Sequence, residues 1–109
     1  MGRYQEAEVA YQRALAAQEK IYGPEHPEVS DSLSRIGHVY LDMGRLAEAA
    51  KLFQRVLSIR ERALGPNDAG VARSLSDLAV VYDAQGDLAK AQTLRQRADA
   101  IYRSSPKKQ

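Results

Sequence analysis

From Glu28 to Asp42 the apolar residues Val29, Leu33, Ile36 and Tyr40 recur at spacings of three and four, which is one face of an α-helix. Gly44 ends that pattern, as expected of a residue able to take positive φ just past a helix terminus. A second amphipathic run starts at Leu46 and passes through Ala49, Leu52, Phe53, Val56 and Leu57 to about Leu64. Gly65-Pro66-Asn67-Asp68 stops it and supplies Asp68 as an N-cap for the next helix. Pro27 falls where a first helical residue would, a position that tolerates proline because its missing N–H has no partner there. A last run keeps the same face through Leu88, Ala91, Leu94, Ala98 and Ile101. Sustained period-two alternation is nowhere found, so no strand is predicted. Five helices are expected, over about 4–22, 28–42, 46–64, 70–84 and 88–103, with a polar tail at 104–109.

The pattern repeats. Gly2, Gly44 and Gly86 stand 42 residues apart, and Ala7, Ala49 and Ala91 coincide at the same offset. Tyr11 corresponds to Phe53, while the third copy has Arg95. Gly23-Pro24 returns as Gly65-Pro66, Ser32-Leu33-Ser34 as Ser74-Leu75-Ser76, and Val39-Tyr40 as Val81-Tyr82. A fixed period of this length is the mark of a repeat array, in which each helix pair buries its apolar stripe on the next. Small residues at Gly37, Ala79, Ala49 and Ala91 allow close helix approach, and large ones at Tyr40, Phe53 and Tyr82 fill the space beside them. The expected fold is all-α: a right-handed α-solenoid of antiparallel helix pairs occupying 1–103.

These helix pairs resemble tetratricopeptide repeats, and the 42-residue period resembles the long-helix variety of kinesin light chains; the usual tetratricopeptide period is about 34 residues. Leu33, Ile36, Gly37 and Tyr40 fit the first helix of such a repeat, as do Leu75, Leu78, Ala79 and Tyr82. Ala7, Tyr11 and Ala14 fit the second helix, Ala49 and Phe53 fit with Val56 enlarged, and Ala91 and Ala98 fit beside the divergent Arg95. The turns Leu64-Gly65-Pro66-Asn67-Asp68 and Tyr22-Gly23-Pro24-Glu25-His26-Pro27 resemble the kinesin-light-chain inter-repeat turn. The resemblance implies that first helices line a concave face that binds an extended peptide or a partner helix. Carried over by position, the lining is Asp31, Ser34, Arg35, His38 and Asp42 from one pair, with Arg73, Ser76, Asp77, Val80 and Asp83 from the next. Ser34-Arg35 and Ser76-Asp77 stand where kinesin-light-chain repeats commonly have Asn-Asn, a departure from backbone clamping by asparagine. Arg35, Arg73, Asp31 and Asp77 are read either as ligand contacts or as pairs with one another across adjacent helices.

In repeat terms the helix order is second, first, second, first, second: an orphan second helix at 2–22, then repeats at 28–64 and 70–103. Ala7, Tyr11 and Ala14 on that orphan would pack against a first helix that does not precede them, and left bare they form an apolar patch. Either the chain is a fragment of a longer solenoid, or the patch is covered in a homodimer or by an exchanged helix. Arg95 and the polar residues after Arg103 are read as what a true C-terminal end would carry.

Composition narrows the function classes. Cysteine is absent, which removes disulfides and thiolate metal sites and fits a reducing, cytoplasmic setting. The 16 Lys and Arg exceed the 14 acids only through Lys107 and Lys108 in the tail, so the body is neutral and nucleic acid is not expected as a partner. Apolar runs are far shorter than the roughly 18 residues of a membrane span, and the N-terminus lacks the apolar core of a secretory signal. His26 is read as a helix cap and His38 as an i, i+4 partner of Asp42; with only two histidines, no metal-ligand set assembles. Ser30-Asp31-Ser32 reads as the polar side of a helix start, and neither a phosphate loop nor a nucleophile with its base is present. The reading is a non-enzymatic interaction scaffold without cofactor that binds a protein or peptide. A self-assembly module, or a regulatory segment of a larger protein, are the alternatives.

Overall fold

The computed structural model describes residues 2–104. Five helices follow one another: α1 (Gly2–Tyr22), α2 (Pro27–Asp42), α3 (Leu46–Leu64), α4 (Ala69–Ala84) and α5 (Leu88–Ser104), and no strand occurs among the described residues. The expected helices are all present, with bounds shifted by at most two residues. Ser104, expected in the tail, is the last residue of α5, and its Oγ donates to the Ile101 carbonyl at 3.2 Å; 105–109 lie outside the described residues.

Each turn is closed by local chemistry. Gly44 and Gly86 sit at φ +79 and +85, where a side chain would be strained, and the N–H groups of Arg45 and Asp87 then reach back to the carbonyls of Tyr40 and Tyr82 at 2.8 and 2.9 Å. At the longer turns a side chain caps the next helix: His26 Nδ1 accepts from the Glu28 N–H at 3.1 Å, and Asp68 Oδ1 accepts from the Gly70 N–H at 2.7 Å. The His26 ring also stacks on Tyr22, 4.6 Å between centroids, fixing the chain's exit from α1.

Every helix packs on the next in sequence, giving a body of 40 × 35 × 24 Å. Phe53, Ile36, Tyr40, Ala49, Ala50, Leu78 and Val81 form the central cluster, which joins α2, α3 and α4. Flanking clusters gather Val29, Leu33, Val56 and Ile59 on one side and Val71, Ala72, Leu75, Ala98 and Ile101 on the other.

Polar ties recur with the same 42-residue step. Gln12 donates to the Tyr40 hydroxyl as Gln54 does to that of Tyr82. Gln18 meets Ser32 Oγ as Arg60 meets Ser74 Oγ. Arg55 pairs with Glu19 as Arg97 pairs with Glu61. Ser30 and Ser32 are therefore not the polar side of α2: both are buried, Ser30 donating to the Pro27 carbonyl at 2.6 Å and Ser32 to Gln18. A hydroxyl is small enough to sit in a helix contact once its hydrogen bond is satisfied.

Tyr40 anchors α1. Its hydroxyl donates to Glu8 Oε2 at 2.5 Å, and the Arg45 guanidinium lies 4.4 Å from its ring centroid while also pairing with Glu8 at 3.3 Å. The Glu8 contact, reinforced by burial, holds the phenol above its ordinary range. The folded protein thus favours the protonated phenol, so this stabilisation is complete below about pH 10 and is lost as pH rises through the elevated folded value. Amide exchange followed from pH 8 to 11 is expected to show α1 loosening at the alkaline end. Tyr40→Phe is expected to remove that pH-dependent component and to cost about 1 kcal/mol at neutral pH. An unchanged alkaline response in Tyr40→Phe would count against this assignment.

Candidate functional site

The first helices, α2 and α4, carry the residues expected to line the concave face. All of them reach solvent: Asp31, Arg35, His38, Asp42, Arg73 and Val80 are exposed, and Ser34, Ser76, Asp77 and Asp83 are half-buried. Helical spacing explains why. Leu33, Ile36 and Tyr40 turn into the core, which leaves Ser34, Arg35 and His38 on the outer face of the same helix.

Five of these residues meet in one cavity of about 270 Å³, lined by Asp31, Ser34, Arg35, His38 and Arg73 together with Arg60. Arg60 is the member that helix pattern alone does not find. It projects from the last turns of α3, donates to Ser74 Oγ at 2.9 Å and the Gly70 carbonyl at 3.4 Å, and lies 3.4 Å from Asp31 Oδ1. The register-equivalent positions are Gln18 and Tyr102, so no periodic charge marks it. The other expected residues lie elsewhere. Asp42 edges a depression with Tyr4, Gln5 and Met43. Asp83 pairs with Arg95 of α5. Ser76 and Val80 do not line the cavity.

The ion pairing differs from what spacing implies. His38 Nε2 lies 3.5 Å from Asp77 Oδ2 on α4 instead of pairing with Asp42, and its ring meets Phe53 edge-on at 5.0 Å between centroids. Arg35 and Arg73 do not pair with Asp77 and Asp31: Asp77 takes His38, Asp31 takes Arg60, and Arg35 and Arg73 have no ion-pair partner among the described residues. The cavity thus holds three guanidinium groups against one carboxylate, with two of the three uncommitted. Such a lining has the chemistry to accept an anion, since the planar guanidinium matches a carboxylate with two parallel N–H donors.

The remaining expected surface is that of α1. Tyr11 is not bare: it packs against the central cluster beside Leu15, because α2 covers that side of α1. Ala7 is half-buried and Ala14 is exposed. The exposed large apolar residues of α1 are Tyr4, Val9, Ile21 and Tyr22. Among the described residues, no group of three or more metal-ligating side chains converges, and no helix is long and apolar enough to cross a membrane.

Comparison with known proteins places these features. The tetratricopeptide repeat model matches residues 1–46 and 28–104. Among solved structures, the crystal structure of BtubC (BKLC) from P. vanneervenii is similar, with a TM-score of 0.85 at 25% identity over 97% of this chain and 45% of that one. The chain therefore spans less than half the length of that protein. No curated protein matches the sequence.

Proposed function

Since the chain belongs to the tetratricopeptide repeat family, in its kinesin-light-chain-like variety, we propose that it is a non-catalytic scaffold whose concave face takes an acidic segment of a partner protein. Repeats of this family generally mediate protein–protein interaction. The observation that carries the finer reading is the cavity between α2, α3 and α4, where Arg35 and Arg73 stand without carboxylate partners beside Arg60. Two guanidinium groups gathered in one cavity without carboxylate partners offer charge to something outside the chain. An Asp or Glu side chain, or a terminal carboxylate, supplies the matching fork. Ser34 adds a donor and acceptor for the segment's backbone. Arg60, already bound to Ser74 and Asp31, fixes the cavity wall. The scaffold is read as acting inside the cytoplasm, without cofactor.

Selection of peptides from a random-sequence library against the immobilised chain is expected to enrich Asp and Glu. Arg35→Glu combined with Arg73→Glu is expected to weaken the selected peptides at least about tenfold, roughly 1.4 kcal/mol, while the helical circular dichroism stays unchanged. Both side chains are exposed, so the fold does not depend on them. Enrichment that survives the double reversal would move the binding surface elsewhere.

A further inference from the structure

We propose that the cavity between α2, α3 and α4 takes a phosphorylated side chain, phosphoserine or phosphothreonine, so that phosphorylation of the partner segment switches its binding on. The inference rests on the peptide reading above and narrows it, from acidic segments in general to a dianion presented by one residue.

Charge is inverted between the two repeats at this face. Asp31 and Arg35 on α2 stand in register with Arg73 and Asp77 on α4, 42 residues further on. Cross pairing of that pattern would leave the face neutral. The assembled helices instead take both carboxylates elsewhere. Asp31 Oδ1 lies 3.4 Å from Arg60, and Asp77, which is not part of the lining, lies 3.5 Å from His38. Arg35 and Arg73 are left on one cavity without carboxylate partners among the described residues. The lining therefore holds three guanidinium groups and one carboxylate, and two positive charges remain to be met. One Asp or Glu meets only one of them.

The number of oxygens points the same way. A carboxylate has two, and a single guanidinium fork engages both, so a second fork has to share. A phosphate monoester offers three free oxygens and carries about −1.5 to −2 charge at neutral pH. Two forks can then each take a pair of oxygens, with one oxygen in common. Arg60 is not a third fork. Its N–H groups are taken up by Ser74 Oγ, the Gly70 carbonyl and Asp31, so it adds charge from a fixed position. Two acidic residues in an extended segment are a poorer match. Neighbouring side chains point to opposite faces and alternate ones stand about 6–7 Å apart, so their charges do not meet at one point.

Three synthetic peptide libraries with random flanks test this by titration against the full 109-residue chain. Their fixed centres are phosphoserine, glutamate and Glu-X-Glu. The best phosphoserine peptides are expected to bind at least about tenfold more tightly than the best glutamate peptides, with Glu-X-Glu between them. Arg35→Gln and Arg73→Gln each remove one fork, and each is expected to shrink the ratio of phosphoserine to glutamate affinity to about threefold or less. Circular dichroism of both variants checks that the helices persist. Inorganic phosphate alone is expected to bind more weakly than the phosphoserine peptides, because it brings no flanking backbone. Equal affinity for inorganic phosphate would make this a site for the free ion and overturn the proposal. Glutamate or Glu-X-Glu peptides that bind as tightly as phosphoserine, or a ratio indifferent to both substitutions, would overturn it while leaving the acidic-segment reading in place. Binding by none of the three libraries would remove both.

Discussion

Phe53→Ala is expected to be the most damaging single substitution in this chain, at about 3–5 kcal/mol, out of the roughly 5–15 kcal/mol that holds an ordinary domain together. The ring is fully buried and sits in the cluster with Ile36, Tyr40, Leu78 and Val81, so three helices lose contacts at once. It also backs the edge of His38, whose other contact reaches Asp77 on α4. Removing it opens a void that the rigid helix pairs close only in part, since each is tied to its neighbours by the repeated polar contacts. Equilibrium urea unfolding measures the loss. The internal control is Arg95→Ala at the equivalent position of the last repeat, where the side chain is exposed and pairs with Asp83; there the expected cost is below about 1 kcal/mol. Equal costs at the two positions would show that the central cluster does not dominate stability.

Gly37→Ala is expected to destabilise by about 1–3 kcal/mol, the range for overfilling a packed core. Ordinarily the change would help, since alanine is favoured over glycine inside a helix by about 1 kcal/mol. Here a Cβ would stand 2.8 Å from Phe53 Cε1 and 3.0 Å from Cζ, and the ring, buried on every side, has nowhere to move. The next repeat carries the complementary solution: Ala79 replaces the glycine where Arg95 replaces the phenylalanine. Arg95 is exposed, so no buried ring stands against the Ala79 Cβ, and Gly37 and Phe53 are expected to couple as a size pair. In a Phe53→Leu background, Gly37→Ala is expected to lose most of its penalty, and a double-mutant cycle read by urea unfolding reports the coupling. Strict additivity of the two changes would refute the size pairing.

The same contrast separates what pattern makes legible from what it does not. Helix bounds, the turns at Gly44 and Gly86, and the caps at His26 and Asp68 follow from residues within a few positions of one another, and all stand where spacing puts them. The family resemblance was likewise legible, because the small and large residues that dictate helix contact repeat at one period. The expected groove residues were legible as an exposed face and no further. Five of them converge with Arg60, whose charge does not repeat along the chain, and His38 pairs with Asp77 across helices. The serines at 30 and 32 show the limit most clearly, since a hydroxyl is indifferent to burial until a specific partner satisfies it.

The sequence by itself determined the elements, their order and the apolar face each one buries, because the α-helix is a local structure whose period is written in neighbouring residues. Only the tertiary structure decided which charged groups find partners and which stand free. Distances between side chains on different helices depend on the crossing geometry of whole pairs. Arg35 and Arg73 look no different in the chain from Arg55 or Arg97, and only the assembled stack leaves the first two without ion-pair partners among the described residues.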